Sequence, residues 1–399
     1  MRQSGKKILI TGITGFVGPY LLKELLPSNA SLCGIDFKKE NLNHPFKNLL
    51  KEVEIYEGDL RDKDFVFNII KKIKPEIVFH LAAKSSVKES FEKPFDYFEV
   101  NCKGTLNLLE AIKKLDFEVN FLFAGSSDEY GIVIYSKKQY EDLKKEYGEI
   151  LPKPKKIPEL PIDENNPLRP ISPYAITKVY GDFLTRTYSI FSNINGIVSR
   201  SFNHEGKGRG EGFVTTDIMK QIVNVIKGDN EIKVGNILAM RDWSHVNDVV
   251  KAYILLSQKA NKGEIFNIGS GRTNSVLTFI LLSLEVAGFK VEEIEFKNKR
   301  IEKPIEKVNF EINNFSFETY KVDELILKEK IKFEDFYDGV IVKTKKKNIK
   351  IKIDFEKIRK IDVPVLLCDN KKIKKIGFKV NYELKEIVRE MLDYFISLQ

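Results

Sequence analysis

The chain has 399 residues, 42% of them hydrophobic and 31% charged, which is ordinary globular composition with enough length for a large core and two lobes. Its 66 Lys and Arg against 57 Asp and Glu give a net charge of +9, spread along the sequence with the densest run at 343–347, a scatter that argues against a nucleic-acid surface or a membrane partner. Cys33, Cys102 and Cys368 lie far apart with no metal-ligand spacing, and no leader or long apolar run occurs, so we expect no disulfide framework, no metal, no membrane span and a reducing cytoplasm.

Short apolar runs at 7–11, 31–36, 53–59, 76–82 and 121–126 read as strands, alternating with helical patterns at 17–26, 63–74 and 105–114. Strands that are apolar on consecutive residues and alternate with helices predict an α/β fold, a doubly wound (Rossmann) parallel sheet covered on both faces. Further on, 173–189, 214–227 and 246–256 read as helices, with strands at 196–202 and 264–269. The expected division is a dinucleotide-binding domain over 1–198, with 237–268 returning to it, and a smaller C-terminal substrate-binding domain over 199–236 and 269–399. Segments 132–160 and 298–350 interrupt the regularity and read as insertions, the first a lid and the second a small β-rich elaboration.

Between the first strand and the first helix stand Gly12, Gly15 and Gly18, a GxxGxxG spacing. Glycines there let the backbone approach a pyrophosphate held by unpaired N–H groups at a helix N-terminus, so a nicotinamide dinucleotide is expected. Asp36 ends the second strand, where a carboxylate accepts ribose hydroxyls and repels a 2′-phosphate, which favours NAD over NADP. Lys38 and Lys39 follow closely enough to host that phosphate, and Asp59 is placed to meet the adenine.

Tyr174 and Lys178 are four residues apart on a predicted helix, so both project from one face. An ammonium beside a phenol favours the phenolate, a base suited to a sugar hydroxyl. The glycine turn, Ser126 at the end of the fifth strand and this pair together resemble the extended short-chain dehydrogenase/reductase family, whose members act on nucleotide sugars. The segments 80–83, 101–111 and 172–178 carry the same resemblance, which covers about residues 6 to 290. It implies that Ser126 binds the substrate's 4-hydroxyl, that Tyr174 is the base and that Lys178 also holds the nicotinamide ribose. It further implies cofactor contacts from Phe16, Val17, Leu60, Leu81, Ala82, Ala83 and Asn101, and substrate contacts from Ser85 and Ser127.

Within the family, the segments 200–215, 234–236 and 241–245 look like the GDP-mannose 4,6-dehydratases, which implies that Asn203, Val214, Asn236 and the arginines Arg209 and Arg241 meet a nucleotide diphosphate. The lesser alternative is that Arg241 and Trp243 form a structural stacking pair. The segments 166–170, 263–272 and 362–367 lean instead toward the GDP-4-keto-6-deoxymannose reductases. Dehydration needs a carboxylate to work at C5 and C6, and two registers are open. Aligning on Tyr130 and Gly131 puts Asp128 where a family dehydratase has Glu, whereas a one-residue gap would make Asp128 and Glu129 the acid and base. The expectation is an NAD-using 4,6-dehydratase of GDP-mannose or a related GDP-hexose, a homodimer or homotetramer. The rivals are a 4-keto-6-deoxyhexose reductase or 4-epimerase, and a non-enzymatic NAD-binding sensor.

Overall fold

The computed structural model describes residues 4–37, 44–358 and 362–399. Strands β1 (Lys7–Thr11), β2 (Ser31–Asp36), β3 (Glu54–Glu57), β4 (Ile77–His80), β5 (Val119–Ser126) and β6 (Ile194–Ser201) join Ile265–Ile268 in one seven-stranded sheet. Its order is Ile265–Ile268, β6, β5, β4, β1, β2, β3, and every pairing is parallel. The sequence-predicted strands and helices of the first half are all present, with ends displaced by up to two residues.

The reason for the continuous apolar runs is that both faces of the sheet are covered. Ile8 and Ile10 pack with the helices Gly18–Leu25 and Val246–Lys259, while Leu9 between them packs with Lys63–Ile73 and Gly104–Leu115. A polar residue at any of these positions would be buried without a partner. The strand order reverses between β1 and β4, so the connections from their C-terminal ends leave in opposite directions and open a crevice there.

The later chain builds a second core around the helices Val214–Lys227, Val276–Val286 and Leu384–Ser397. These pack on a five-stranded sheet ordered Lys299–Glu302, Val291–Phe296, Val340–Thr344, Ile349–Ile353, Glu231–Val234. Segment 298–350 is β-rich, and it supplies two of these five strands and the start of a third, so it completes a layer instead of decorating one. It also carries the hairpin Lys307–Ile312 and Phe315–Tyr320.

That hairpin meets the first interrupting segment. Asn313 at its tip donates from Nδ2 to the carbonyls of Pro158 and Leu160, at 2.9 and 2.7 Å. Phe315 and Phe317 share a small core with Tyr130, Val133, Leu160, Ile162, Phe202, Met240 and the run Val363–Cys368. Segment 132–160 itself holds a helix, Lys137–Tyr147, whose start is capped by the Ser136 hydroxyl. No helix among the described residues is long and apolar enough to cross a membrane.

Candidate active site

The glycine turn lies at the crevice. Gly12 has φ +70°, and a Cβ on it would stand 2.7 Å from the Ala82 nitrogen. A Cβ on Gly18 would stand 2.2 Å from the Ile13 carbonyl oxygen, so both positions exclude any side chain. The helix Gly18–Leu25 begins with no side-chain cap, which leaves its first N–H groups for an anion. At the end of β2, Asp36 Oδ2 accepts from both Thr14 N and Thr14 Oγ1 at 2.8 Å, so the carboxylate is drawn to the rim of the turn. A cradle free of side chains, open helix N–H groups and a carboxylate at its rim fit a dinucleotide. Phe16 and Val17 lie in this turn, and Leu81, Ala82 and Ala83 follow β4 directly opposite it. Lys38 and Lys39 lie outside the described residues.

Two expected cofactor contacts have partners within the protein. The Asp59 carboxylate accepts from Arg61 Nε and Nη2 at 2.8 and 2.6 Å, which holds its pKa below the usual range. Asn101 is 3% exposed and fully bonded: Oδ1 accepts from Lys84 N, and Nδ2 donates to Lys84 O and Thr177 Oγ1. It therefore braces the loop after β4 against the helix Pro173–Phe191. Leu60 is buried beside Gly104, with its carbonyl accepting from Asn107.

Ser126 ends β5, and Tyr174 and Lys178 face it from Pro173–Phe191, whose start is capped by the Ser172 hydroxyl. Burial pushes the Tyr174 phenol well above its ordinary pKa, Asp128 and Glu129 add to the rise, and a hydrogen bond from Ser126 and the charge of Arg209 oppose it. The Lys178 ammonium donates to the Ala124 carbonyl at 2.7 Å and stands 5.9 Å from the Tyr174 ring centroid. Burial draws Lys178 itself down to about 8, against the pull of Glu129.

The two carboxylates of the loop after β5 separate. The Ser126 hydroxyl accepts from Asp128 N at 3.1 Å, and the Asp128 side chain is partly exposed beside Tyr174. Glu129 turns inward to 0% exposure, where Oε1 accepts from Ser126 N at 2.8 Å and Oε2 lies 3.3 Å from Arg200 Nε. As an acid or base acting on substrate, Glu129 is therefore corrected: its carboxyl lies beneath the strand end and makes no opening to the crevice. Ser127 is buried beside it, and Ser85 is exposed in the loop after β4.

The residues expected to meet the substrate fall in two groups, one around Arg209 and one around Arg241. Asn203 follows β6, and the Arg209 guanidinium lies 3.7 Å over the Phe213 ring and 5.0 Å over Phe16. Arg209 Nε is buried without a hydrogen-bond partner, 3.6 Å from Glu205 Oε2. Val214 opens the next helix and is exposed. Arg241 pairs with Asp362 at 2.8 Å, and Asn236 reaches the same carboxylate at 3.4 Å. Trp243 packs on Phe279 in the second core, so it forms no stacking pair with Arg241. His80 is structural: it bridges Thr11 and Thr105 at 2.7 and 2.8 Å, and burial lowers it to about 3.

Sequence reasoning missed Asp362, Thr14, Arg61 and the buried pair Asp182 with Arg200. Asp182 follows Lys178 by four residues on the same helix face, which was a usable signal.

Residues 8–269 match the model of the NAD dependent epimerase/dehydratase family. The chain belongs to that family. A GDP-mannose 4,6-dehydratase of Yersinia enterocolitica is 30% identical over 97% of this chain and 93% of its own length. The human GDP-mannose 4,6 dehydratase is 33% identical over 68% of this chain and 70% of its own length. Among solved structures, RMD from Pseudomonas aeruginosa complexed with NADPH has a TM-score of 0.68 at 23% identity, covering 99% of this chain and 100% of that one. The UDP-glucuronic acid 4-epimerase of Bacillus cereus, with UDP-glucuronic acid and NAD, gives 0.68 at 19% identity, covering 98% and 99%. The fold is thus shared with these structures, and the family to which the chain belongs is NAD dependent.

Proposed function

We propose that the chain is a 4,6-dehydratase of a GDP-hexose, with GDP-mannose as substrate and NAD as cofactor. The observation that supports it most is the separation of the two loop carboxylates, which leaves Asp128 beside Tyr174 at the crevice while Glu129 is buried. A reductase or epimerase uses Ser126, Tyr174 and Lys178 without such a carboxylate, and the curated dehydratases noted above span most of the chain.

In this reading Ser126 holds the sugar 4-hydroxyl, and Tyr174 takes its proton. The bound dinucleotide supplies the hydride acceptor at C4 and the donor that later restores C6. With C4 a ketone, the proton at C5 is acidic; Asp128 removes it and passes it to the 6-hydroxyl, which departs as water, and the proton first taken from the 4-hydroxyl is returned at C5 as C6 is reduced. Lys178 keeps positive charge beside the phenol and the ribose. Arg209, with a buried unpartnered Nε, and Arg241 grip the diphosphate, and Asn203, Asn236 and Val214 border the nucleotide. Asp36 favours NAD over NADP by repelling a 2′-phosphate. Residues 1–198 and 237–268 serve the dinucleotide, and 199–236 with 269–399 serve the sugar nucleotide. A second copy of the chain is the partner supported by exposed Phe91, Phe95, Phe98, Ile176 and Phe183 on adjoining helices.

The test is mass spectrometry of GDP-mannose incubated with the protein and NAD. Loss of one water is expected, and Asp128→Asn should abolish it; an epimer or a reduced sugar at unchanged activity in Asp128→Asn would overturn the reading.

A further inference from the structure

Glu129 is a buried carboxyl whose bonding is incomplete. Oε1 accepts from Ser126 N at 2.8 Å, but Oε2 has no donor although the side chain is fully buried. Arg200 is near, at 3.3 Å, yet its Nε, the atom that faces Oε2, gives its one N–H to Asp182. Its Nε donates to Asp182 Oδ2 at 2.9 Å, Nη2 stands 2.8 Å from the same carboxylate, and Nη1 donates to Tyr130 Oη and the Glu164 carbonyl, both at 3.2 Å. Asp182 Oδ1 accepts from Arg186 Nε at 2.6 Å. Arg200 and Arg186 both direct donors to Asp182, so an ionised Glu129 Oε2 would be buried with no donor aimed at it. A proton on Oε2 supplies the missing donor, with Asp182 as the adjacent acceptor.

We propose that Glu129 is a positioning residue that carries a proton, shares it with Asp182, and braces the end of β5 as an uncharged support beneath Tyr174 and Lys178. The charged and titratable groups around it are Arg200 on β6, Asp182, Lys178 and Tyr174 on the helix Pro173–Phe191, and Tyr130 in its own loop. Burial and Asp182 hold its pKa up, while Arg200 and the Ser126 N–H oppose them. The neutral form matters to the site above, because a Glu129 anion would raise the Tyr174 phenol further and make it a harder group to ionise. This positioning role rests on the assignment of Ser126 and Tyr174 given under Proposed function.

Glu129→Gln keeps the shape, the acceptor for Ser126 N and a donor toward Asp182, but cannot ionise. A carboxyl with a raised folded pKa makes the folded state hold a proton that the unfolded state releases, so wild-type stability falls as pH rises above the ordinary carboxyl value of about 4.3. Melting temperatures of wild type and Glu129→Gln should therefore coincide at about pH 5, and the variant should melt several degrees higher at about pH 8. A variant that melts lower than wild type, by a gap that is constant or grows toward pH 8, would overturn the proposal, since that is what a carboxylate ion-paired to Arg200 gives. If the variant does not fold, infrared spectra of the wild type decide: the stretch of a protonated carboxyl should persist at neutral pH, and its absence overturns the proposal. Neither readout uses a sugar nucleotide, so a wrong substrate leaves both decisive.

Discussion

The strand-end loops of the first sheet and the segments packed over them treat buried polar groups in opposite ways. Beneath Tyr174 and around Arg209, bonds are left open: Glu129 Oε2 has no donor and Arg209 Nε has no acceptor. Where segment 132–160 meets the chain that follows it, the same kinds of groups are closed. Arg169 and Glu159, each about 3% exposed at the side chain, form a bidentate pair at 2.7 and 2.9 Å; the arginine also donates to the carbonyls of Pro152 and Ile132, and the glutamate accepts from Ile134 N. A fully satisfied network fixes a conformation, whereas an open one marks a place reserved for a proton or a ligand. The chemistry should therefore depend on the first region and the rigidity on the second.

The sharpest way to break this contrast is Tyr174→Phe. Removal of the proposed base should lower kcat by about a thousandfold, with the melting temperature nearly unchanged. Arg169→Met should do the reverse: it strands Glu159 as an unpaired buried charge and should cost about 3–5 kcal/mol of stability, read by urea denaturation, while kcat per folded molecule holds. Should Arg169→Met leave stability intact and abolish turnover, the assignment of roles to the two regions would be wrong. Gly18→Ala places a methyl against the Ile13 carbonyl and should cost about 1–3 kcal/mol together with a weaker dinucleotide affinity, measured by calorimetric titration. The smallest effect belongs to Asn313→Ala, which removes the hairpin's bonds to Pro158 and Leu160 and should cost about 1–2 kcal/mol with little change in KM.

The sheet was legible because its covered strands are apolar on consecutive residues and its turn needs glycines that nothing else explains. Tyr174, Lys178 and Ser126 were legible through spacing and resemblance. The electrostatics were not: four-residue spacing put Lys178 beside Tyr174, but the Ala124 carbonyl, at no recognisable interval from either, takes its ammonium. Asp128 and Glu129 were indistinguishable in sequence because adjacent residues in a loop can face any direction; Arg200 and Asp182, 71 and 53 residues after Glu129, coincide with its inward turn. Segment 298–350 read as an elaboration because its short strands alternate weakly, and the partners that bury them, such as Glu231–Val234 alongside Ile349–Ile353, stand more than a hundred residues away.

The small core shared by Tyr130, Leu160, Phe315 and Val365 has a consequence for assembly during synthesis. Ile162 N donates to the Leu367 carbonyl at 2.8 Å, and Asp369 N to that of Ile162 at 2.8 Å, so chain near the C-terminus closes over the loop that carries Asp128. Closing a loop of some two hundred residues is slow compared with the local pairings of a βαβ unit. A nascent chain should thus hold the dinucleotide turn early and gain an ordered Asp128 only after its last strand-like segment has been made.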